Sequence, residues 1–299
     1  MATAVICEFN PFHNGHKYLL ESAKNVLKEP VIAIMSGSFT QRGEVAVCDK
    51  FVRAKSALEN GADLVLELPV VFSLSGAEGF AKAGVAIASA FECTNHLAFG
   101  SESGDCELLK KSANAVCDER VQALVRDGMK NGGYYPRELE NAVKTVFGDE
   151  ISSVLCEPNN ILGVEYIKAL NGTGVEPFSV ARTGVAHDSR IAGEGFASAS
   201  HIREMLRNGE NAKKYAPYIP DEITFPENLD RPLLYRLRTM TREDIAKLPN
   251  VGEGLENRIA DAAVRCSTSS EIADLVKTKR YTHARIRSEE HTSELQSQR

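Results

Sequence analysis

The five residues Val31–Met35 form an unbroken apolar run, and this run limits the folds available to the chain. A strand that is apolar on both sides has to be covered on both faces, which is typical of a parallel sheet between layers of helices. Further strands are predicted over Val5–Phe9, Asp63–Pro69, Leu97–Gly100 and Pro177–Ala181.

Segments with helical spacing of apolar residues lie between these strands. The predicted helices span Gly15–Lys28, Phe51–Asn60, Ala77–Ala90, Glu107–Asp127, Leu139–Val146, Ile161–Leu170 and Ser198–Asn208. Strands that alternate with helices build parallel βαβ units, whose ligands bind at the carboxyl ends of the strands. We therefore predict an α/β fold with a Rossmann-like parallel sheet.

The regular alternation ends where prolines accumulate, at Pro217, Pro220, Pro226 and Pro232. We place a domain boundary near residue 225, with an α/β domain over 1–225 and an all-helical region over 226–287. Residues 288–299 lack apolar periodicity, and most of them resemble a translated sequencing-adapter oligonucleotide. We treat them as a non-native tail, so the natural sequence is expected to continue beyond about Arg287.

The net charge of −6 is unevenly distributed along the chain. Residues 1–229 carry 22 Lys and Arg against 30 Asp and Glu, whereas residues 230–287 carry 12 against 8. A basic C-terminal region permits a polyanionic partner on that side, although a solvated helical surface has the same composition.

No apolar run approaches the length of a membrane span, no signal peptide is evident, and the seven cysteines form no Cys-x-x-Cys pair. We expect a cytoplasmic protein with reduced thiols and no metal site.

The motif His13-Asn14-Gly15-His16 opens the first helix directly after the first strand. Histidines three residues apart share one side of a helical turn. The unpaired N–H groups of a helix N-terminus attract phosphate, and Gly15 leaves room for its approach. Imidazoles in this position can stabilise the charge that develops on a departing pyrophosphate, so the motif predicts adenylyl transfer. The alternatives are two structural histidines or a metal pair, and a metal would need a third ligand that the local sequence lacks.

The motif and its flanks resemble the HIGH-motif nucleotidyltransferase superfamily and, within it, the tRNA(Met) cytidine acetate ligase family. The resemblance extends in order from residue 4 to about 287. It rests on Glu8–His16, Met35–Glu44, Asp49–Arg53, Gly61–Pro69, Phe99–Glu102, Pro158–Gly163, Ser198–Arg203 and Lys279–Thr282. It implies that ATP activates acetate as acetyl-adenylate. The acetyl group then passes to N4 of the wobble cytidine of elongator tRNA(Met). We expect Mg²⁺ to accompany the ATP, because ATP usually reacts as its metal complex.

The resemblance also implies catalytic roles for His13 and His16 and a set of ATP contacts. These contacts are Ile6, Cys7, Glu8, Phe9, Asn10, Pro11, Phe12, His13, Asn14, Gly15, His16, Lys17, Tyr18, Leu19, Gly100, Asn159 and Arg182. Two alternatives stay open, because Asn159 could instead cap the helix near Ile161 and Arg182 could form a surface ion pair.

Two further groups of residues are candidates for binding phosphate and acetate because of their position in the sequence. Ser198, Ser200 and Arg203 begin a helix that in the superfamily lies over the triphosphate, although a serine at that place is also a common helix cap. Arg42 follows the second strand, where it could bind the acetate carboxylate, with Lys50 and Arg53 as competitors.

The densest basic run supplies the candidates for tRNA contact. They are Lys277, Lys279, Arg280 and Arg285.

Two other functions remain open from the residues alone. A small-molecule adenylyltransferase acting on a phosphorylated metabolite would use the same motif, but it needs neither the basic region nor the extra length. An ATP-binding regulatory protein without turnover is the third possibility. The intact His13–His16 pair argues against it, because binding alone does not require both imidazoles. The sequence gives no indication of the oligomeric state.

Overall fold

In the computed structural model of the chain, the described residues are 1–41, 43–182, 195–219, 221–248, 251–252, 254–278 and 286. Five strands form one parallel sheet, and they are β1 (Ala2–Cys7), β2 (Val31–Ser36), β3 (Leu64–Leu68), β4 (Thr94–Ser101) and β5 (Glu176–Ala181). Their order in the sheet is β3-β2-β1-β4-β5. The predicted α/β class with a parallel sheet is confirmed.

The strand order reverses beside β1, because the chain passes from β1 to β2 on one side and later returns to β4 on the other. The carboxyl ends of β1 and β4 therefore form the topological switch point at which parallel sheets bind ligands. Both β1 and β2 are buried along their whole length, as the apolar run in β2 predicts.

Helices connect the strands and build the C-terminal region. Their bounds are α1 (Asn14–Leu27), α2 (Lys50–Glu59), α3 (Val70–Ser73), α4 (Ala77–Ser89), α5 (Cys106–Cys117), α6 (Glu119–Lys130), α7 (Tyr135–Phe147), α8 (Asp149–Ser153), α9 (Pro158–Leu170), α10 (Ala199–Arg207), α11 (Asp230–Thr239), α12 (Arg242–Ala246), α13 (Leu255–Arg265) and α14 (Ser269–Val276).

The single helix predicted over Glu107–Asp127 is wrong, since two helices, α5 and α6, meet at Asp118. This residue has extended backbone dihedrals, and its carboxylate accepts a hydrogen bond from the Arg120 N–H at 2.8 Å. Aspartate satisfies the free N–H groups at a helix start better than it supports a helix interior, so it ends one helix and begins the next. Helix α3 has no counterpart among the predicted elements.

Apolar side chains cover the sheet on both faces. On one face, Ile34 and Leu97 of the sheet belong to a buried cluster with Phe80 of α4 and with residues of α5 and α9. On the other face, Ala33 belongs to a cluster with Phe9, Leu20 of α1 and Ala57 of α2. A separate cluster of buried residues, including Leu233, Ile259 and Ile272, holds together α11 to α14. Among its described residues, the C-terminal region is helical and has a cluster of buried residues of its own.

We predict that Leu97→Ala lowers the free energy of unfolding by about 3 kcal/mol, because Leu97 is fully buried in β4 and its truncation leaves a cavity. Urea denaturation monitored by circular dichroism would measure the loss. The matched control is Leu64→Ala on the edge strand β3, where the leucine is 41% exposed, and its cost should stay below about 1 kcal/mol. Equal losses in both variants would contradict this assignment of the core.

Candidate active site

The loop after β1 is held by buried aromatic rings. Phe9 adopts a φ of +48°, in the left-handed region that costs a non-glycine residue about 1 kcal/mol or more. Its side chain is fully buried, and its ring centroid lies 4.9 Å from that of Phe12 and 4.9 Å from that of His16. Burial of an aromatic ring contributes more than this backbone conformation costs. The loop is thereby fixed against the start of α1.

The two motif histidines cap α1 reciprocally. His13 is the N-cap residue, and its Nδ1 accepts a hydrogen bond from the Gly15 N–H at 3.0 Å. The His13 N–H donates in turn to His16 Nδ1 at 3.3 Å. The two rings are stacked with their centroids 3.7 Å apart. This arrangement is a capping box in which imidazoles replace the usual hydroxyl and carboxylate.

These hydrogen bonds determine the tautomer of both histidines. A ring nitrogen that accepts a hydrogen bond carries no proton, so the neutral imidazoles of His13 and His16 carry theirs on Nε2. Burial lowers the pKa of His16 well below its ordinary value, and electrostatic interactions with His13 and Arg182 lower it further. His16 is therefore a neutral hydrogen-bond donor at neutral pH.

The first N–H groups of α1 are not available to a phosphate, contrary to the sequence-based expectation. The N–H of Asn14 donates to Tyr215 O at 2.8 Å, and those of His16 and Lys17 donate to His13 O at 2.9 and 3.1 Å. The Gly15 N–H is taken by His13 Nδ1. Donors to an anion on this side must therefore be the imidazole Nε2–H groups and other side chains.

Gly15 serves the histidine cap. A Cβ at this position would lie 2.9 Å from His13 Cε1 and 3.1 Å from His13 Nδ1, closer than a methyl group can approach a ring. The sequence suggested that Gly15 leaves room for a phosphate. In the structure the space is filled by the His13 ring, which needs a residue without a side chain two positions later.

A cavity of about 290 Å³ opens at the switch point between β1 and β4. Both motif histidines line it, together with residues that are far apart in the sequence. Those residues are Ile6, Cys7, Glu8, Phe9, Asn10, Gly15, Tyr18, Leu19, Thr40, Gln41, Glu44, Ala77, Phe80, Phe99, Gly100, Pro158, Asn159, Ile161, Leu162, Tyr166, Val180, Ala181, Arg182, Phe196, Ala197, Ala199, Ser200 and Arg203. Most of the predicted ATP contacts are thus brought to one place.

Four of the predicted ATP contacts do not line the cavity. Pro11 and Phe12 are buried behind the loop, and Lys17 lies on α1 with its Nζ 3.8 Å from Glu21 Oε1. The Asn14 Nδ2 donates to Gly195 O at 2.8 Å and to Lys214 O at 3.0 Å. Asn14 therefore fastens the segments on either side of α10 to the histidine motif.

The three residues at the start of α10 that are candidates for phosphate binding have different roles. Ser198 is the N-cap residue, accepts a hydrogen bond from the His201 N–H at 3.1 Å and does not line the cavity. Ser200 and Arg203 do line it. The Arg203 guanidinium donates to Asn10 O at 2.9 Å and lies 3.7 Å from Glu44 Oε2, so α10 is tied to the loop after β1.

The alternative roles of Asn159 and Arg182 are not what the structure shows. Helix α9 begins at Pro158 with Glu157 as its N-cap residue, so Asn159 lies inside the first turn and does not cap it. Arg182 follows β5 and forms no ion pair with a described residue. The surrounding protein lowers the pKa of its guanidinium by desolvation, and the Glu102 carboxylate opposes that shift. An arginine stays protonated even when it is partly desolvated, so Arg182 presents a positive charge to the cavity.

The candidates for carboxylate binding differ in their availability. Arg42 lies outside the described residues. Lys50 Nζ is 2.7 Å from Glu67 Oε2. Arg53 is only 1% exposed and donates to the backbone oxygens of Cys48 at 3.2 Å, Glu8 at 2.5 Å, Ser36 at 3.2 Å and Gly37. Arg53 is therefore a structural residue beneath the cavity and not a competitor for acetate.

Of the candidates for RNA contact, Lys277 is described and the other three, Lys279, Arg280 and Arg285, lie outside the described residues. Lys277 ends α14, and its Nζ is 3.1 Å from Asp274 Oδ1 in an exposed pair. Such a pair contributes little to stability and leaves the ammonium accessible.

Neither a metal-binding cluster nor a membrane-spanning helix is found in the described ranges. No cluster of three or more His, Cys, Asp and Glu side chains is arranged there to hold a metal ion. None of the helices in those ranges combines the length and the apolar composition needed to cross a membrane.

A family model described as HIGH Nucleotidyl Transferase matches residues 1–290. The chain belongs to the HIGH nucleotidyl transferase family. Within this family it is 38% identical over 303 residues to a tRNA(Met) cytidine acetate ligase of Thermoanaerobacter sp. (strain X514), a match that covers 95% of this chain and 75% of the relative. It is 36% identical over 311 residues to the protein of that name from Clostridium tetani (strain Massachusetts / E88), covering 95% and 76%.

Solved structures of a Thermotoga maritima protein have the same fold. The crystal structure of Thermotoga maritima TmcAL in its apo form I superposes with a TM-score of 0.89 at 33% identity, covering 98% of this chain and 75% of that one. A second crystal structure, of TmcAL bound with alpha-thio ATP, also has a TM-score of 0.89 at 33% identity and covers 99% and 75%. The resemblance inferred from the motifs is confirmed.

We predict that acidification destabilises the fold through His16. Its pKa is about 6.5 in the unfolded chain and lower in the folded one, so the unfolded chain binds the proton first as the pH falls. The free energy of unfolding should decrease from about pH 6.5 downward, by up to about 1.4 kcal/mol per pH unit, until the folded pKa is passed. Urea denaturation between pH 7.5 and 5.5 would measure this slope. The His16→Gln variant cannot titrate at this position and should show a shallower slope, whereas equal slopes would refute the prediction.

Proposed function

We propose that this chain is an ATP-dependent tRNA(Met) cytidine acetate ligase. An acetate oxygen attacks the α-phosphorus of ATP, pyrophosphate leaves, and acetyl-adenylate forms. The N4 amino group of the wobble cytidine of elongator tRNA(Met) then attacks the acetyl carbonyl and releases AMP. The observation that carries the proposal is the stacked, Nε2-protonated pair of His13 and His16 at the wall of the switch-point cavity.

In this proposal the imidazoles are catalytic because they donate to phosphate oxygens. Charge accumulates on the bridging oxygen as pyrophosphate departs, and two fixed N–H donors stabilise it without reorganisation. Neutral imidazoles suit this task because their protons stay in place through the reaction. Arg182 and Arg203, which also line the cavity, supply positive charge, and Ser200 supplies a hydroxyl.

The remaining partners follow from the same proposal. ATP enters as its magnesium complex, so Mg²⁺ belongs to the substrate. Arg42 binds the acetate carboxylate, because the two competing candidates, Lys50 and Arg53, are bonded to other groups. The helical region after about residue 225 grips the tRNA through Lys277, Lys279, Arg280 and Arg285. The reaction takes place in the cytoplasm, where tRNA is found.

A small-molecule adenylyltransferase acting on a phosphorylated metabolite is disfavoured. The similarity to tRNA(Met) cytidine acetate ligases extends over 95% of this chain and so includes the helical region. An enzyme for a small phosphorylated acceptor has no use for a basic helical region of that size.

The first test is ATP–pyrophosphate exchange with and without acetate. Exchange that depends on acetate is expected, and His16→Ala should reduce it at least about a hundredfold, since one lost donor to a developing oxyanion has an effect of this size. Because His16 also caps α1, circular dichroism must show that the variant is folded. Exchange with a phosphorylated metabolite but not with acetate would instead support a small-molecule adenylyltransferase.

The tRNA contact is tested separately by a quadruple alanine variant at Lys277, Lys279, Arg280 and Arg285. Its affinity for elongator tRNA(Met), measured by filter binding, should fall at least about tenfold, and the dependence of log K on log salt should become shallower. Acetate-dependent exchange should remain, since none of these residues belongs to the set proposed to bind ATP or acetate. A matched variant with alanine at Lys82, Lys110, Lys130 and Lys144, all on the acidic domain, should bind like the wild type. Equal losses in both variants would refute the assignment.

A further inference from the structure

Glu102 joins the end of β4 to the start of α9 through three hydrogen bonds. One carboxylate oxygen, Oε1, accepts from the Asn159 side-chain Nδ2 at 2.6 Å and from the Asn159 N–H at 3.3 Å. The other, Oε2, accepts from the Asn160 N–H at 2.8 Å. The Ser103 N–H donates back to Asn160 Oδ1 at 3.1 Å. The segment after β4 and the first turn of α9 therefore hold each other in place.

This network fixes which end of the Asn159 amide faces the cavity. An ionised carboxylate only accepts hydrogen bonds, so the atom 2.6 Å from Glu102 must be the amide nitrogen. Asn159 lines the cavity and is half-buried. Its Oδ1 accepts no hydrogen bond from the described part of the chain. The amide thus presents an acceptor to any molecule that enters.

The surroundings of Asn159 suit a nucleobase. Pro158, Ile161 and Leu162 line the same part of the cavity, and they are apolar residues from the same helix turn. A flat aromatic base can pack against such a wall, whereas a ribose would leave its hydroxyl groups without partners there. A hydrogen-bond acceptor beside this apolar wall favours a base that carries a hydrogen-bond donor at the matching position.

We propose that Glu102 is a specificity-determining residue, which orients the Asn159 amide so that its Oδ1 accepts a hydrogen bond from the 6-amino group of adenine. A base with a 6-oxo group would place two acceptors against each other and is rejected. The inference rests on the proposed function in so far as ATP is the nucleotide. It concerns recognition of the base and leaves the chemistry at the histidines unchanged.

Replacement of Glu102 by glutamine should reverse the amide. The N–H groups of Asn160 and Asn159 belong to the backbone and cannot turn. We expect the glutamine oxygen to keep the shorter of these two hydrogen bonds, from Asn160 at 2.8 Å, and to give up the one from the Asn159 N–H at 3.3 Å. The glutamine Nε2 then faces Asn159, whose side chain turns to offer Oδ1 to this new donor. The Asn159 NH₂ group then faces the cavity, where it matches a 6-oxo group in place of a 6-amino group.

The test is equilibrium binding of ATP, inosine triphosphate and 2′-deoxy-ATP to the full chain by isothermal titration calorimetry. ATP and inosine triphosphate carry the same charge, so their affinity ratio cancels the effect of removing the Glu102 charge. The wild type should prefer ATP about tenfold or more, since an unpaired buried acceptor has a cost of this order. In Glu102→Gln the ratio should fall to about one or invert, with the preference between ATP and 2′-deoxy-ATP unchanged.

The matched control is Glu157→Gln, which removes one negative charge from the start of the same helix at an exposed residue without a side-chain capping bond. It should keep the wild-type ratio. Asn159→Ala removes the acceptor itself and should also bring the ratio to about one, which tests the proposal even where Glu102→Gln fails to fold.

Three results would overturn the proposal. They are an unchanged ratio in Glu102→Gln and Asn159→Ala, a wild type that does not discriminate or binds no ATP, and a change confined to 2′-deoxy-ATP, which would assign Asn159 to the ribose. Selective ATP binding without acetate-dependent exchange would reject the ligase function and leave the role of Glu102 standing.

Discussion

A buried guanidinium holds the carboxyl end of the sheet together. Parallel strands that end at a binding site leave backbone oxygens without ladder partners, and each such group needs a donor. Arg53 gives its N–H groups to the oxygens of Glu8, after β1, of Ser36 and Gly37, at the end of β2, and of Cys48, before α2. The histidine loop begins at Glu8, so the place of both imidazoles depends on this one side chain.

The other rim of the cavity is built by the same means with the opposite charge. Glu102 accepts three N–H groups from α9 on the β4 side, where Arg53 donates to oxygens on the β1 and β2 side. Each charged side chain bonds to fixed groups of neighbouring segments, which makes its geometry insensitive to the flexibility of surface residues. Both networks hold segments that line the switch-point cavity, namely the loop that begins at Glu8 and the first turn of α9.

Local patterns were sufficient for the sheet and for the position of the site. The apolar run of β2 and the helix start at the histidine motif are each indicated by a few consecutive residues. Both elements lie where the sequence predicts them. Contacts across long stretches of chain were not predictable. The sequence analysis named Arg53 as a competitor for acetate and Glu102 only as part of a motif. Their hydrogen-bond partners, Glu8 and Asn159, lie 45 and 57 positions away, and neither periodicity nor composition indicates contacts over such distances.

The reciprocal cap of His13 and His16 changes what their presence means in a descendant of this chain. Each imidazole satisfies a backbone N–H at the start of α1, so a descendant that lost either one would lose helix stability together with a group proposed to be catalytic. Purifying selection on folding alone would keep both residues in a lineage that no longer turned over ATP. The argument that a binding-only protein has no need of the pair therefore loses its force. Inactive relatives are better recognised by changes at cavity residues that take no part in the cap, such as Arg182.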